Sequence, residues 1–160
     1  MQGCHPHLGF AEKGEEAIKF YVSLIPNSRV IDIQRYGDGG PVPAGSLQWA
    51  TFELDGRQYS AFDGGPPFQF AEGFSLFVSC ETQEEVDRLW EAFGDGGDEG
   101  QCGWIKDRWG LSWQIVPTAL SEMMANPEAG DVGRMMQALM GMKKLDVAEL
   151  RAAYTGAPVA

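Results

Sequence analysis

The sequence predicts an α+β fold in which one strand–helix–strands module is given twice and followed by a helical extension. Three observations carry this. The first is an internal repeat: Leu8-Gly9-Phe10 leading into Glu15-Glu16-Ala17-Ile18-Lys19-Phe20-Tyr21 has its echo in Leu76-Phe77-Val78 leading into Glu84-Glu85-Val86-Asp87-Arg88-Leu89-Trp90. The second is alternating strand-like segments after each helix. The third is a change to helical periodicity after Pro117. One module is too small to close a core, so the two copies are expected to pack together.

The first helix places Ala17, Ile18, Tyr21, Leu24 and Ile25 at helical intervals and stops at Pro26-Asn27. The second buries Val86, Leu89, Trp90 and Phe93. It opens with a capping box, Thr82 and Glu85, and stops at Gly94-Asp95-Gly96-Gly97. Strands follow at Arg29–Tyr36, Leu47–Leu54 and Arg57–Phe62, the last two joined across Asp55-Gly56, a favoured two-residue hairpin turn. Gly37–Gly45 is a loop. In the second module Gln101–Lys106 and Leu111–Val116 flank the turn Asp107-Arg108-Trp109-Gly110, and Asp98–Gly100 leaves room only for a vestigial strand. Gly64-Gly65-Pro66-Pro67 is the natural link. The expected organisation is one domain over 1–160, with module one at 1–66, module two at 67–117 and the extension at 118–160. Within the extension, helices are expected at about 118–125, 131–143 and 146–154. Val132, Met135, Met136, Leu139, Met140 and Met142 form an apolar stripe there, read as packing on the domain or on a second subunit.

Composition narrows the function classes. A chain of 160 residues can bury one proper core, and no apolar run approaches the roughly 20 residues a membrane span needs. A net charge of −11 argues against nucleic-acid binding, which needs a basic footprint, while it would suit a cationic small molecule. Met1-Gln2-Gly3-Cys4-His5 lacks the basic and apolar regions of a signal peptide, so a cytoplasmic location is expected. Cys4, Cys80 and Cys102 are too few and too widely spaced for a disulfide framework or a paired-cysteine metal site.

Several stretches resemble the PhnB-like, 3-demethylubiquinone-9 3-methyltransferase-like branch of the vicinal-oxygen-chelate (glyoxalase/bleomycin-resistance) superfamily. They are Glu15-Glu16-Ala17 with Phe20-Tyr21 and Pro26-Asn27-Ser28, the hairpin Phe52–Gly56, Asp63–Pro66, and above all Gly100–Pro117 with its Trp104, Asp107, Gly110, Trp113 and Gln114. Lys143-Lys144-Leu145-Asp146 is similar to the family's C-terminal extension. The resemblance implies paired βαβββ modules, the second abbreviated here, lining a cleft, commonly in homodimers. The methyltransferase label finds no support in these residues, because a donor-nucleotide cradle needs a strand, a Gly-rich loop and a helix N-terminus in succession. No cofactor is expected.

Side chains alternate faces along a strand, so each strand divides into a helix-facing and a cleft-facing set. Pro6, Leu8 and Phe10 are expected to meet the helix, leaving His5, His7 and Gly9. Leu76, Val78 and Cys80 leave Ser75, Phe77 and Ser79. Leu111, Trp113 and Ile115 leave Ser112, Gln114 and Val116, and Tyr59 with Ala61 leave Gln58, Ser60 and Phe62. The candidate ligand-binding residues are therefore His5, His7, Gln58, Ser60, Phe62, Ser75, Phe77 and Gln114. The resemblance implies four metal-ligand positions, falling here on His5, Ser60, Ser75 and Gln114. Two serine hydroxyls and no carboxylate make a poor set for a transition metal, so no metal is expected. Cys102 reads as a buried structural thiol, with a nucleophile near His5 or His7 as the alternative. Trp49, Trp104, Trp109, Phe68 and Phe70 are candidates for stacking on a ligand, and Glu53, Asp63 and Arg35 read as surface charges. These residues point to a small-molecule-binding protein. The alternative is a diverged enzyme, of lyase, dioxygenase or transferase type, acting on a small oxygenated substrate.

Overall fold

The computed structural model describes residues 3–158. The chain divides between Ala71 and Glu72 into two compact units.

The first unit runs β1 (His7–Phe10), α1 (Gly14–Leu24), β2 (Arg29–Arg35), β3 (Leu47–Leu54) and β4 (Arg57–Asp63). Its sheet has the order β1-β4-β3-β2, with β1 parallel to β4 and the other pairs antiparallel. The apolar stripe of α1 explains the packing: Ala17, Ile18 and Tyr21 are buried with Leu8, Phe10, Ala50, Phe52 and Ala61 of the sheet. Asp55 and Gly56 both have positive φ (48° and 70°), the geometry that lets a two-residue turn follow strand twist. Two expectations need correction. Pro6 is exposed instead of packing on the helix, because β1 starts one residue later and the Pro6 carbonyl instead accepts from the Ser60 amide. Asp63 is buried and not a surface charge. Its two carboxylate oxygens accept from the Gly14 and Leu47 amides, both at 2.8 Å, tying the start of α1 to the start of β3.

The second unit repeats the plan with β5 (Ser75–Cys80), α2 (Gln83–Gly94), β6 (Asp98–Glu99), β7 (Trp104–Lys106) and β8 (Ser112–Pro117), in the sheet order β5-β8-β7-β6. Here too the first and last strands pair in parallel. Val86, Leu89, Trp90 and Phe93 of α2 are buried, and Trp113 stacks on Phe93 with ring centroids 4.3 Å apart. Thr82 Oγ1 accepts from the Glu85 amide, and the Glu85 carboxylate takes the Glu81 amide. The buried Asp107 organises the following turn, accepting from the Trp109 and Leu111 amides and from Trp113 Nε1. The strand expected from Gln101 starts only at Trp104. Cys102 and Gly103 have positive φ, and their amides donate to the Met142 and Lys143 carbonyls.

Three helices follow, α3 (Thr118–Ala125), α4 (Val132–Met140) and α5 (Val147–Thr155). Met135, Leu139, Met142, Leu145, Leu150 and Tyr154 build their own core with Ala119, Leu120, Met123 and Val116. Val116 is thus sealed under the extension, so it leaves the set expected to line an open face. Met140, also in the stripe, is 66% exposed. No helix among the described residues is long and apolar enough to cross a membrane.

Candidate functional site

Each sheet covers one face with its helix and turns the alternate residues of its strands the other way. In the first unit, register aligns His7 with Ser60, Ser60 with Thr51, and Thr51 with Asp32, a row crossing all four strands. Both histidines converge on the buried Ser60: His7 Nδ1 lies 2.6 Å from Ser60 Oγ and His5 Nε2 lies 3.1 Å from it. A hydroxyl has one proton to give, so one ring accepts it while the other donates to the oxygen. The His7 ring is nearly parallel to Phe62 (5.1 Å, 7°) and stacks on Trp49 (4.9 Å, 30°). Desolvation, and then the neighbouring His5, hold the His7 imidazole below its ordinary pKa. Phe68 meets Phe62 edge-on at 4.8 Å. Gln58 is exposed and stands one row away, opposite Glu53, outside this cluster.

In the second unit, Phe77 aligns with Gln114 and Gln114 with Trp104. Gln114 Nε2 donates to Ser75 Oγ at 2.9 Å, and Phe77 is 56% exposed. The two units match position by position. His7 opposes Ser60 as Phe77 opposes Gln114, and in each unit the residue two before that partner bonds the strand's polar side chain. The eight candidate residues therefore form two clusters plus the outlying Gln58. Thr51 and Asp32 were missed. Thr51 was available from alternation with Trp49, whereas β2 changes register between Val30 and Asp32, which hides the face of Asp32 from parity counting.

Phe70, Trp109, Cys102, Glu53 and Arg35 make contacts of other kinds. Phe70 packs edge-on against the buried Phe10, and the Arg108 guanidinium sits 5.4 Å from the Trp109 ring centroid. Cys102 Sγ lies 3.6 Å from the Leu139 carbonyl. Burial, and then Glu85, push the Cys80 thiol up to about 11, so it stays protonated. Glu53 and Arg35 are in surface ion pairs, with Arg29 and Glu15 respectively.

Two βαβββ modules of this kind, each with a mixed polar and aromatic face opposite its helix, define a protein of the glyoxalase/bleomycin-resistance class. The profile of the 3-demethylubiquinone-9 3-methyltransferase family matches residues 2–116, and the chain belongs to that family, the PhnB-like branch of the vicinal-oxygen-chelate superfamily. The PhnB protein of Bacillus cereus is 34% identical over 72% of this chain and 99% of its own, with a TM-score of 0.68. Two more distant structures share the fold alone. A Pseudomonas aeruginosa protein is 21% identical over 73% of this chain and 98% of its own (TM-score 0.60). The fosfomycin resistance protein FosX of Mesorhizobium loti is 14% identical over 78% and 98% (TM-score 0.53). No curated protein matches the sequence.

The residues at the superfamily's metal positions do not fit a divalent transition metal. His5 and Gln114 are each bonded to a serine, Ser60 and Ser75, whose neutral hydroxyls are weak donors to such an ion. Among the described residues no three His, Cys, Asp or Glu side chains are grouped to hold one.

Proposed function

We propose that this chain is a small-molecule-binding protein, carrying neither a divalent metal nor another cofactor, whose ligand lies on the open sheet faces. The proposed contacts are His5, His7, Gln58, Ser60 and Phe62 on the first unit's face and Ser75, Phe77 and Gln114 on the second's, each face taken by itself. The observation that carries the reading is that the four positions the resemblance implies for a metal form two hydrogen-bonded pairs, His5–Ser60 and Ser75–Gln114, beside exposed aromatic rings. Such groups in an apolar setting exchange their partners for a ligand's at little cost, whereas leaving one unpaired costs about 1–3 kcal/mol.

Metal analysis of untagged protein purified without chelator tests it together with Gln114→Leu. The expected outcome is no stoichiometric metal, a variant that melts within a few degrees of the parent, and weaker ligand binding. Zinc or nickel near one equivalent, lost in Gln114→Leu, would replace this reading with that of a diverged enzyme acting on a small oxygenated substrate. The two imidazoles on one hydroxyl are the observation that favours the enzyme, since such a pair can take up and return a proton.

Exposed Met124 and Met140 on the extension support a homodimer, which sedimentation velocity at micromolar concentration checks. The three free cysteines support a reducing, cytoplasmic setting.

A further inference from the structure

Trp49, Phe62, Phe68 and His7 gather on the open face of the first sheet in an arrangement that selects a class of ligand. We propose that this cluster is a subsite for a flat heteroaromatic cation. The proposal rests on the binding role assigned above to the same face.

The rings are seated and not merely exposed. A Cβ on Gly9 would lie 2.7 Å from the Phe68 ring, and one on Gly64 would lie 2.2–2.7 Å from three of its atoms, so two side-chain-free positions make room for that ring. Phe68 is nonetheless 42% exposed and Trp49 41%. Water on clustered aromatic faces is unfavourable, and a ligand that covers them recovers that energy. The indole is fixed by its Nε1, which donates to Thr51 Oγ1 at 3.2 Å. His7 is nearly parallel to Phe62 (7°) and inclined to Trp49 (30°), so the face already presents stacked aromatic surface to which a further planar heteroaromatic ring can add.

Charge decides between a neutral and a cationic ring. Asp32 stands in the row of Thr51, and its carboxylate accepts from the Gln34 side-chain Nε2 at 2.9 Å. Gln34 is itself the register partner of Trp49. Among the described residues no Lys or Arg pairs with Asp32. The two arginines of the same strand are engaged elsewhere, Arg29 by Glu53 and Arg35 by Glu15. An indole face carries negative potential as well, and the chain's −11 charge strengthens the field for a cation.

Calorimetric titration of the full chain at neutral pH and low salt, with N-methylquinolinium, neutral quinoline and tetramethylammonium, tests both halves. N-methylquinolinium should bind about tenfold tighter than either comparison compound, one lacking charge and the other lacking the ring. Trp49→Leu and, independently, Phe68→Leu should each weaken it several-fold, and Asp32→Asn should erase the preference over quinoline. These are exposed positions, so the variants are expected to fold. Absence of N-methylquinolinium binding, equal binding of quinoline, or indifference to both ring substitutions overturns the assignment. The broader reading is judged apart: quinoline that binds as tightly as N-methylquinolinium and shifts the His7 and Ser60 amide signals keeps the face as a binding surface while the cationic class is discarded, whereas no shift there with any of the three compounds counts against both.

Discussion

The two units share one strand–helix–strands plan yet hold it together differently. In the first, β3 and β4 run eight and seven residues and pair over a tight hairpin, and the helix is tied to its own sheet. The buried Asp63 carboxylate fixes the entry to α1, whose preceding residue, Lys13, has positive φ and no side-chain cap. Arg35 of β2 grips Glu15 on the helix surface. In the second, β6 and β7 have only two and three residues, and the extension supplies what they lack. Met142 and Lys143 carbonyls take the Cys102 and Gly103 amides, Lys144 pairs with Asp87 on α2, and the Gln83 side chain joins the Leu145 carbonyl to the Val147 amide. A shortened sheet is stable here because distant chain has taken over its unpaired groups.

Four substitutions would break or sharpen this contrast. Trp113→Ala removes the largest fully buried side chain of the second unit, its stack on Phe93 and its bond to Asp107. A loss of about 3–5 kcal/mol in urea unfolding is expected, and a loss below about 1 kcal/mol would mean that the extension, not this ring, carries the unit. Next come the two helix entries. Asp63→Ala orphans two buried amides and should cost about 1.5–3 kcal/mol, against about 1 kcal/mol for Thr82→Ala, which removes an exposed cap. Equal losses would erase the distinction between the units.

The smallest effect concerns Glu15, whose hydrogen bonds to Arg35 and then Lys19 hold its carboxyl down at about 2. A depressed folded-state pKa contributes stability above the ordinary value of 4.5 and loses it as pH falls toward 2. Both cations are more than half exposed, so solvent screening limits the contribution to about 1 kcal/mol or less. Urea midpoints measured between pH 5 and 2 should fall less steeply in Glu15→Gln than in the parent. Parallel curves would show that the pair is idle.

Much of the architecture was legible because periodicity records burial directly. The four buried positions of α2, the Asp55-Gly56 turn and the vestigial β6 follow from spacing and turn chemistry. The polar pairings were legible where strands are regular, as for Ser60 beside His5 and His7, or Ser75 beside Gln114. The pattern was illegible where a local feature overrode alternation. The register change in β2 conceals Asp32, and the turn through Cys102 delays β7 to Trp104. Val116 obeys the alternation, but it is covered by the helical extension, from α3 directly after β8 to α5, which no strand count can see. Asp63 was misjudged because a carboxylate is ordinarily a surface group, and only its two amide partners, at positions 14 and 47, explain its burial.

The bridge from Gln83 to Val147, spanning 64 residues, sets an order on the birth of the molecule. A nascent chain has all the strands of the first unit once Asp63 has emerged, so that sheet can form while synthesis continues. The second sheet must wait for its far partners. At roughly 5–20 residues per second, the interval between Gln83 and Val147 lasts on the order of 3–13 s. In the later part of that time, once β8 has been made and before α4 and α5 follow, Val116 lacks part of its cover, and the amides of Cys102 and Gly103 have no protein acceptor. The liability to aggregate on the ribosome therefore lies in the second unit, and slowing translation of the last forty codons would lengthen it.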